Sequence, residues 1–166
     1  MKNLVLYFSV YDSTKTVAGE IARQTGADLV EIEPVIPYDN NRSHYNALAR
    51  LAKKEHDEDM RPAIRNEIDI ESYDNIFIGY PMWWYTFPMI LYTLFDRYDF
   101  SGKTIIPFNT HMGSSDGGTY QTIAELEPDA VILQGLPIEM SVAERGCKDN
   151  VAAWLQSISE IRRTTK

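Results

Sequence analysis

Residues 4–22, which read LVLYFSVYDSTKTVAGEIA, decide the fold of this chain. The run at residues 4–8 carries no charge, as in a strand that is buried on both faces of a parallel sheet. A polar turn follows, and beyond it Val17 and Ile21 fall on one helical face. The stretch therefore predicts a strand, a turn and a helix in succession, with Gly26 at the end of the helix.

The polar turn is a candidate anion site. A helix that begins at the carboxyl end of a central strand leaves its first N–H groups unpaired, with the positive end of the helix dipole behind them. Side-chain donors in the turn would add to these groups: Ser9, Tyr11, Ser13, Thr14 and Lys15. We interpret the turn as a phosphate site, and the alternative is an ordinary helix cap. The sequence contains neither G-x-x-x-x-G-K-[ST] nor G-x-G-x-x-G.

The overall composition limits the classes of function. A chain of 166 residues predicts a single domain over residues 1–166. The formal net charge of −8 argues against nucleic-acid binding and favours partner proteins with basic surfaces. The first apolar run is too short for a signal peptide, and no stretch approaches membrane-spanning length. We therefore expect a cytoplasmic protein that does not bind membranes.

Cysteine and histidine residues give no sign of a metal site. The single cysteine, Cys147, excludes an internal disulfide, and we interpret it as a spectator thiol. His44 and His56 have no second ligand at metal-binding spacing, so we expect both on the surface and predict no metal.

The rest of the chain alternates strands with helices. Short apolar runs predict further strands at residues 28–33, 73–81, 104–110 and 130–133, the last resuming over 136–140. Apolar spacings of three and four predict a helix capped by Ser43 and others over residues 87–98, over 119–126 and around Val151. This alternation predicts an α/β fold, a three-layer sandwich with a five-stranded parallel sheet and helices on both faces.

Three positions in these elements need separate interpretation. Pro107 lies in the fourth strand, and we expect it near the carboxyl end, where pairing lapses. Trp154 is assigned to the core face of the last helix. Arg162 and Arg163 place cations at the negative end of that helix's dipole.

Two further loops are unusual in composition. Residues 82–88 contain Trp83, Trp84 and Tyr85 between a strand and a helix, where aromatics either cover a flat ligand or anchor the loop to the core. Residues 111–118 are rich in glycine and small polar residues, which lets the backbone approach a ligand closely. The alternative for this third loop is a flexible surface turn.

The three loops follow predicted strands one, three and four. Ligands of such sheets bind outside the carboxyl ends of the strands, where the winding direction reverses. We therefore expect the loops to converge there. A phosphate cradle, aromatic side chains and a close-approach backbone loop together predict a site for a phosphorylated flat ring.

At these residues the chain resembles the flavodoxin family over essentially its whole length. Residues 7–15 resemble the family's phosphate loop, commonly S/T-x-T-G-x-T, and residues 78–84 with Pro88 resemble the ring-binding loop of a bacterial subgroup. Residues 107–117 are similar to that subgroup's third loop. Tyr11 and Asp12 stand where the family usually has Thr and Gly, and Asp can adopt the left-handed conformation that a glycine would use.

The resemblance implies the strand order 2-1-3-4-5 and non-covalent FMN. It implies contacts to the phosphate from Ser9, Tyr11, Ser13, Thr14 and Lys15, with Asp12 in the same cofactor-binding loop as a like charge that repels the phosphate. It implies that the ring is bordered by Pro81, Met82, Trp83, Trp84 and Tyr85, and that its pocket is completed by Thr110, His111, Gly113, Ser114 and Gly117.

The function implied by the resemblance is electron transfer. FMN supplies the redox chemistry, so no residue of the chain is expected to be catalytic. The alternative is an NAD(P)H-dependent FMN or quinone reductase on the same fold, which needs room for a second planar molecule where Trp83 and Trp84 lie. A third reading is a binding module of this fold without FMN.

Overall fold

A computed structural model describes residues 1–164, with side chains through Ser159. Arg162 and Arg163, assigned above to the end of the last helix, lie outside the residues whose side chains are described. The strands are β1 (Asn3–Tyr7), β2 (Asp28–Glu31), β3 (Asn75–Pro81), β4 (Thr104–His111), β5 (Val131–Ile132) and β6 (Leu136–Glu139). The α-helices are α1 (Ser13–Thr25), α2 (Tyr45–Asp57), α3 (Met89–Arg97), α4 (Thr119–Leu126), α5 (Met140–Arg145) and α6 (Lys148–Thr164).

The strands form one parallel sheet in the order β2-β1-β3-β4-β5, which confirms the predicted topology. In this sheet β1 lies between β2 and β3, and Leu6 pairs with Ile78 of β3 and with Val30 of β2. Leu4 and Leu6 pack into one core cluster, whereas Val5 packs into the other. This alternation is the two-residue period of a strand that is covered on both faces.

Helices cover both faces, as the three-layer prediction requires. Apolar side chains of α3 and α4 pack on one face, and those of α1, α5 and α6 pack on the other. Trp154 is 5% exposed and contacts Phe77 edge-on at a ring-centroid distance of 5.9 Å, which confirms its assignment to the core. Cys147 is also buried, and burial raises the pKa of its thiol, as expected of a spectator.

The fifth sheet position is divided between two strands, both paired to β4. β5 pairs with the start of β4 and β6 pairs with its end. Pro107 lies between these two pairings rather than at the carboxyl end of the strand, so the predicted position was wrong. Leu133, just after β5, donates its N–H to Ile105 O, so Ile105 faces this side of β4. Alternate residues of a strand face the same neighbour, so Pro107 faces this side too. The N–H that proline lacks would therefore point into the gap between β5 and β6, where it has no partner to lose.

The region between β2 and β3 differs from its prediction at the start of α2. Ser43 does not cap this helix, because it lies inside a 3-10 turn, Arg42–His44, that precedes it. Asn41 caps that turn by accepting the Ser43 N–H at 3.0 Å. Across residues 1–164, none of the helices has the length and apolar character needed to cross a membrane.

Candidate functional site

The three unusual loops meet at the carboxyl rim, the edge of the sheet formed by the carboxyl ends of β1, β3 and β4. The Thr14 and Thr110 hydroxyls are hydrogen-bonded at 2.8 Å, which joins the first loop to the end of β4, where the third loop begins. Met82 donates its N–H to Thr110 O at 2.9 Å, which joins the start of the second loop to the same place. Together the loops line one cavity of about 740 Å³. The predicted convergence of the three loops is therefore confirmed.

The predicted site residues divide into those that line this cavity and those that do not. All of them line it except Asp12, Lys15 and Gly117. Asp12 and Lys15 are exposed, and Lys15 reaches Ser9 Oγ only through its backbone N–H, at 3.3 Å. Gly117 affects the cavity through Met82, which lines it, because a Cβ added at Gly117 would lie 2.6 Å from Met82 Cε.

The start of α1 has the geometry of an anion site. Asp12 precedes the helix with φ 68° and ψ −8°, the left-handed conformation, and its side chain makes no capping hydrogen bond. Among the described residues, the N–H groups of Ser13 and Thr14 have no hydrogen-bond acceptor. These N–H groups and the two buried hydroxyls of the same residues are donors of the kind that bind a phosphate at a helix N-terminus.

Tyr11 supplies one more donor beside this helix start. Its hydroxyl is buried and, within the described part of the chain, has no hydrogen-bond partner. Burial and the nearby Asp39 raise the pKa of this hydroxyl, so it stays protonated near neutral pH. A buried O–H without an acceptor is costly, and the cavity beside it is where an acceptor would fit.

The two tryptophans of the second loop have different environments. Trp83 is half-buried and packs edge-on against Phe8 and Tyr38, at ring-centroid distances of 5.4 and 5.3 Å. Trp84 is 45% exposed, and its indole N–H donates to Ala49 O at 2.8 Å. Both line the cavity, but Trp83 also anchors the loop to the core, while Trp84 leans on α2.

The second loop turns tightly at its tip. Trp83 and Thr86 are paired through their backbones, at 2.8 and 3.3 Å, and enclose Trp84 and Tyr85. The enclosed residues have φ values of 53° and 62°, which fits the left-handed pair of a type I′ turn. Such φ values favour Asn and Gly, so two aromatic residues there carry backbone strain.

The third loop is braced by hydrogen bonds rather than being an open surface turn. Asn109 Nδ2 donates to Ser115 O at 2.8 Å, and the Tyr120 hydroxyl donates to Asn109 Oδ1 at 2.5 Å. His111 is 9% exposed, and its Nδ1 accepts the Gly113 N–H at 3.0 Å. Because an N–H donor occupies Nδ1, the proton of the neutral ring lies on Nε2.

One wall of the cavity comes from α2, which sequence reasoning did not assign to the site. The residues missed are Val10, Tyr45, Asn46, Leu48, Ala49, Ala52, Met112 and Met140. Four of those on α2, Tyr45, Leu48, Ala49 and Ala52, have the spacing of three and four that predicted this helix from the sequence. That spacing shows that the face is apolar, but it does not show which other element the face covers.

Comparison with known proteins places this geometry in a family. A family model described as flavodoxin matches residues 2–158. A solved structure from Bacteroides eggerthii, assigned as a flavoprotein, is 33% identical to this chain with a TM-score of 0.82. That match covers 95% of this chain and 98% of the other. No curated protein sequence matches the chain.

Two more distant structures share the fold. A flavoprotein from Lactobacillus acidophilus, solved in complex with FMN, is 22% identical with a TM-score of 0.68, covering 87% of this chain and 97% of the other. Oxidised flavodoxin 2 from Bacillus cereus is 18% identical with a TM-score of 0.55, covering 95% and 99%. Because the family model spans nearly the whole chain and the Bacteroides protein is similar in sequence as well as fold, this chain belongs to the flavodoxin family.

Proposed function

We propose that the chain binds FMN non-covalently in the cavity at the carboxyl rim and acts as an electron carrier. The observation that carries the proposal is the cavity, which joins the donor-rich start of α1 to a wall of aromatic and apolar side chains. A phosphorylated flat ring matches both parts of this cavity, because its phosphate suits the donors and its ring suits the aromatic and apolar wall. The FMN complex of the Lactobacillus protein, which has the same fold, supports this choice of ligand.

The phosphate would be held by the first loop. The N–H groups and hydroxyls of Ser13 and Thr14 supply donors at the positive end of α1, and the Tyr11 hydroxyl supplies another. The Thr14 hydroxyl also bonds to Thr110, so phosphate binding and the position of the third loop are coupled. Asp12, exposed and outside the cavity, would repel the phosphate only through solvent.

The ring would be bordered by the second and third loops. Met82 and Trp83 line the cavity from the second loop, and Gly113 and Ser114 line it from the third. When bound, FMN supplies the redox chemistry by accepting and releasing electrons. The chain's part is to orient the ring, exclude water from it and keep the third loop in place through Asn109 and His111.

Electron transfer would take place with partner proteins that have basic surfaces. The formal net charge of −8 favours encounters with such proteins and predicts rates that fall as ionic strength rises. Tyr85 and Met112, which line the cavity, are 79% and 78% exposed. They would give a partner apolar contact close to the ring.

The test is flavin uptake followed by redox titration. The apo-protein is titrated with FMN while flavin fluorescence is followed, and the complex is then reduced stepwise with dithionite. Saturable uptake, separate reduction steps and no steady oxidation of NADPH are expected of a carrier. Failure to take up FMN at saturating concentration would contradict the proposal.

A reductase is the second candidate, and the wall formed by α2 favours it. Tyr45 and Ala49 extend the cavity beyond the three predicted loops, which leaves apolar lining for a second planar molecule. NADPH and a quinone are added to the FMN-loaded protein to separate the two functions. Steady turnover of NADPH favours the reductase, and no turnover favours the carrier.

A further inference from the structure

The carboxylate of Glu144 lies beside the start of α1. Its Oε1 accepts a hydrogen bond from Ser13 Oγ at 3.4 Å and another from Arg42 Nη2 at 3.2 Å. The three residues come from separate elements, since Glu144 is on α5, Ser13 begins α1 and Arg42 opens the 3-10 turn before α2. One carboxylate oxygen therefore accepts hydrogen bonds from a hydroxyl at a helix N-terminus and from a guanidinium.

These donors are the kind that recognise phosphate. A serine hydroxyl at a helix N-terminus and an arginine fork are recurrent phosphate ligands. An internal carboxylate that engages both of them occupies an anion position beside Ser13, although neither Glu144 nor Arg42 lines the cavity itself. Ser13 lines that cavity, so the position adjoins the site proposed for the flavin phosphate.

Arg42 is held in this place by its own segment. Its Nη2 also donates to Tyr11 O at 3.1 Å, and its guanidinium carbon lies 5.5 Å from the centroid of the Tyr11 ring. The backbone around it is braced by the Asn41 cap and by a 2.6 Å contact between His44 Nδ1 and Asp39 Oδ2. The guanidinium is therefore presented to the first loop before any ligand arrives.

The bond between Arg42 and Glu144 can be exchanged at little cost. Their side chains are 63% and 45% exposed, and exposed ion pairs contribute little to stability. A phosphate monoester carries about 1.5 to 2 negative charges at neutral pH, against one for a carboxylate. The guanidinium therefore gains more from a phosphate at this position than it loses by leaving Glu144.

We infer that Arg42 binds the 5′-phosphate of the flavin nucleotide by exchanging Glu144 for it, and that Glu144 is an internal anion competing with that phosphate. This rests on the proposed function, because it assumes that the cavity takes a flavin nucleotide. The pair then sets the preference of the site for FMN over riboflavin, which has the same ring and no phosphate.

The experiment compares FMN and riboflavin affinities of apo-protein variants by quenching of flavin fluorescence. Arg42→Gln is expected to weaken FMN binding about tenfold, the loss of one charge-assisted contact, and to leave riboflavin binding unchanged. Glu144→Gln is expected to tighten FMN binding about threefold, again without effect on riboflavin, because a partly screened like charge is removed.

Matched controls remove the same charges elsewhere on the surface. Arg50→Gln and Glu58→Gln each change an exposed residue for which the described residues show no bond to Tyr11 or Ser13, so they report the effect of net charge alone. A second readout is the NMR signal of the Arg42 Nε–H in 15N-labelled protein. We expect this signal to shift on addition of FMN and to stay unchanged on addition of riboflavin.

Several outcomes would overturn the inference. An Arg42→Gln variant that binds FMN as tightly as the wild type excludes the contact, and one that loses both flavins equally gives Arg42 a structural role only. In both cases FMN uptake by the wild type preserves the proposed function. If the wild type binds neither flavin, the proposed function fails and the inference fails with it.

Discussion

The two rims of the sheet differ in the types of residue that adopt positive φ in their turns. At the amino rim, where the strands begin, positive φ occurs at the glycines Gly26 and Gly102 and at one residue with a side chain, Asp59, just after α2. At the carboxyl rim, several loop positions with positive φ hold residues with side chains: Asp12, Trp84, Tyr85 and Ser115. Left-handed backbone costs such residues roughly 1–2 kcal/mol each, and glycine avoids that cost.

The difference separates the parts of the chain that serve stability from those that serve the site. Turns at the amino rim are closed by short backbone hydrogen bonds, such as that from Gly102 N–H to Asp129 O at 2.9 Å. Loops at the carboxyl rim keep a cavity open and keep donors without acceptors. We therefore expect substitutions at the amino rim to change stability alone, and those at the carboxyl rim to change flavin binding as well.

The largest expected effect is at the amino rim. Phe100 is fully buried there and packs against Phe95 at a ring-centroid distance of 5.6 Å. Phe100→Ala should lower the free energy of unfolding by about 3–5 kcal/mol because it leaves a cavity in the core. Urea unfolding measures this loss, and Phe100→Leu should keep much of the stability. FMN affinity of the folded Leu variant should equal that of the wild type, and a large change would break the comparison of the rims.

Next in size is the anchor of the second loop. Trp83→Ala should lower the free energy of unfolding by about 2–3 kcal/mol, because the half-buried ring leaves Phe8 and Tyr38, and it should weaken FMN binding more than tenfold. Trp84→Ala is the matched variant, expected to cost about 1 kcal/mol for its single hydrogen bond. Equal losses of stability in the two variants would contradict the assignment of Trp83 as the anchor.

A smaller effect at the amino rim depends on pH. Burial, together with Asp99 and Asp129, raises the pKa of Glu127 to about 7, so ionisation of this carboxyl destabilises the folded state. Its unfolded pKa is about 4.3, so the contribution of Glu127 to stability falls as pH rises from about 4.5 to 7 and then levels. Glu127→Gln should remove that fall.

The expected gain for Glu127→Gln at pH 8 is about 1–2 kcal/mol, allowing for solvent screening, with no gain near pH 4.5. Thermal unfolding at both pH values measures it. Glu125→Gln, an exposed change in the last turn of α4 just before Glu127, is the control and should show no such difference. A Glu127→Gln variant that follows the wild-type pH profile would contradict the raised pKa.

The smallest effect tests the strain of the first loop. Asp12→Gly should raise the free energy of unfolding by about 0.5–1 kcal/mol, because φ 68° costs glycine nothing, and should tighten FMN binding by removing a negative charge. Asp12→Asn separates the two causes, since it removes the charge and keeps a side chain. Tighter FMN binding without a gain in stability is the result expected of the Asn variant.

Local sequence was enough for most elements of this fold and for much of the site, but it missed α5, whose first residue, Met140, was assigned to a strand. The apolar run of β1 and the polar turn before α1 were predicted correctly, because burial and hydrogen bonding in both depend on residues that are close together in the sequence. The different roles of Trp83 and Trp84 could not be predicted from the sequence, because the two residues are identical in type. Only their contacts in the folded chain distinguish them, with Phe8 and Tyr38 for Trp83 and with α2 for Trp84.

The positions of Pro107 and Arg42 show the same limit. Pro107 is tolerated because β5 and β6 leave a gap beside it, and that gap depends on pairing with β4 rather than on neighbouring letters. Arg42 contacts Tyr11 and Glu144 across separations of 31 and 102 positions in the chain. Patterns over a few residues cannot predict contacts between residues so far apart in the sequence.

By itself the sequence determined most of the strands and helices, their order along the chain and which loops carry unusual chemistry, because periodicity and turn residues act over a few positions. The tertiary structure alone decided that α2 closes the cavity, which tryptophan anchors the second loop and which charges meet at the start of α1. Those outcomes depend on how whole elements pack across the sheet, and side chains far apart in the chain become neighbours only after that packing.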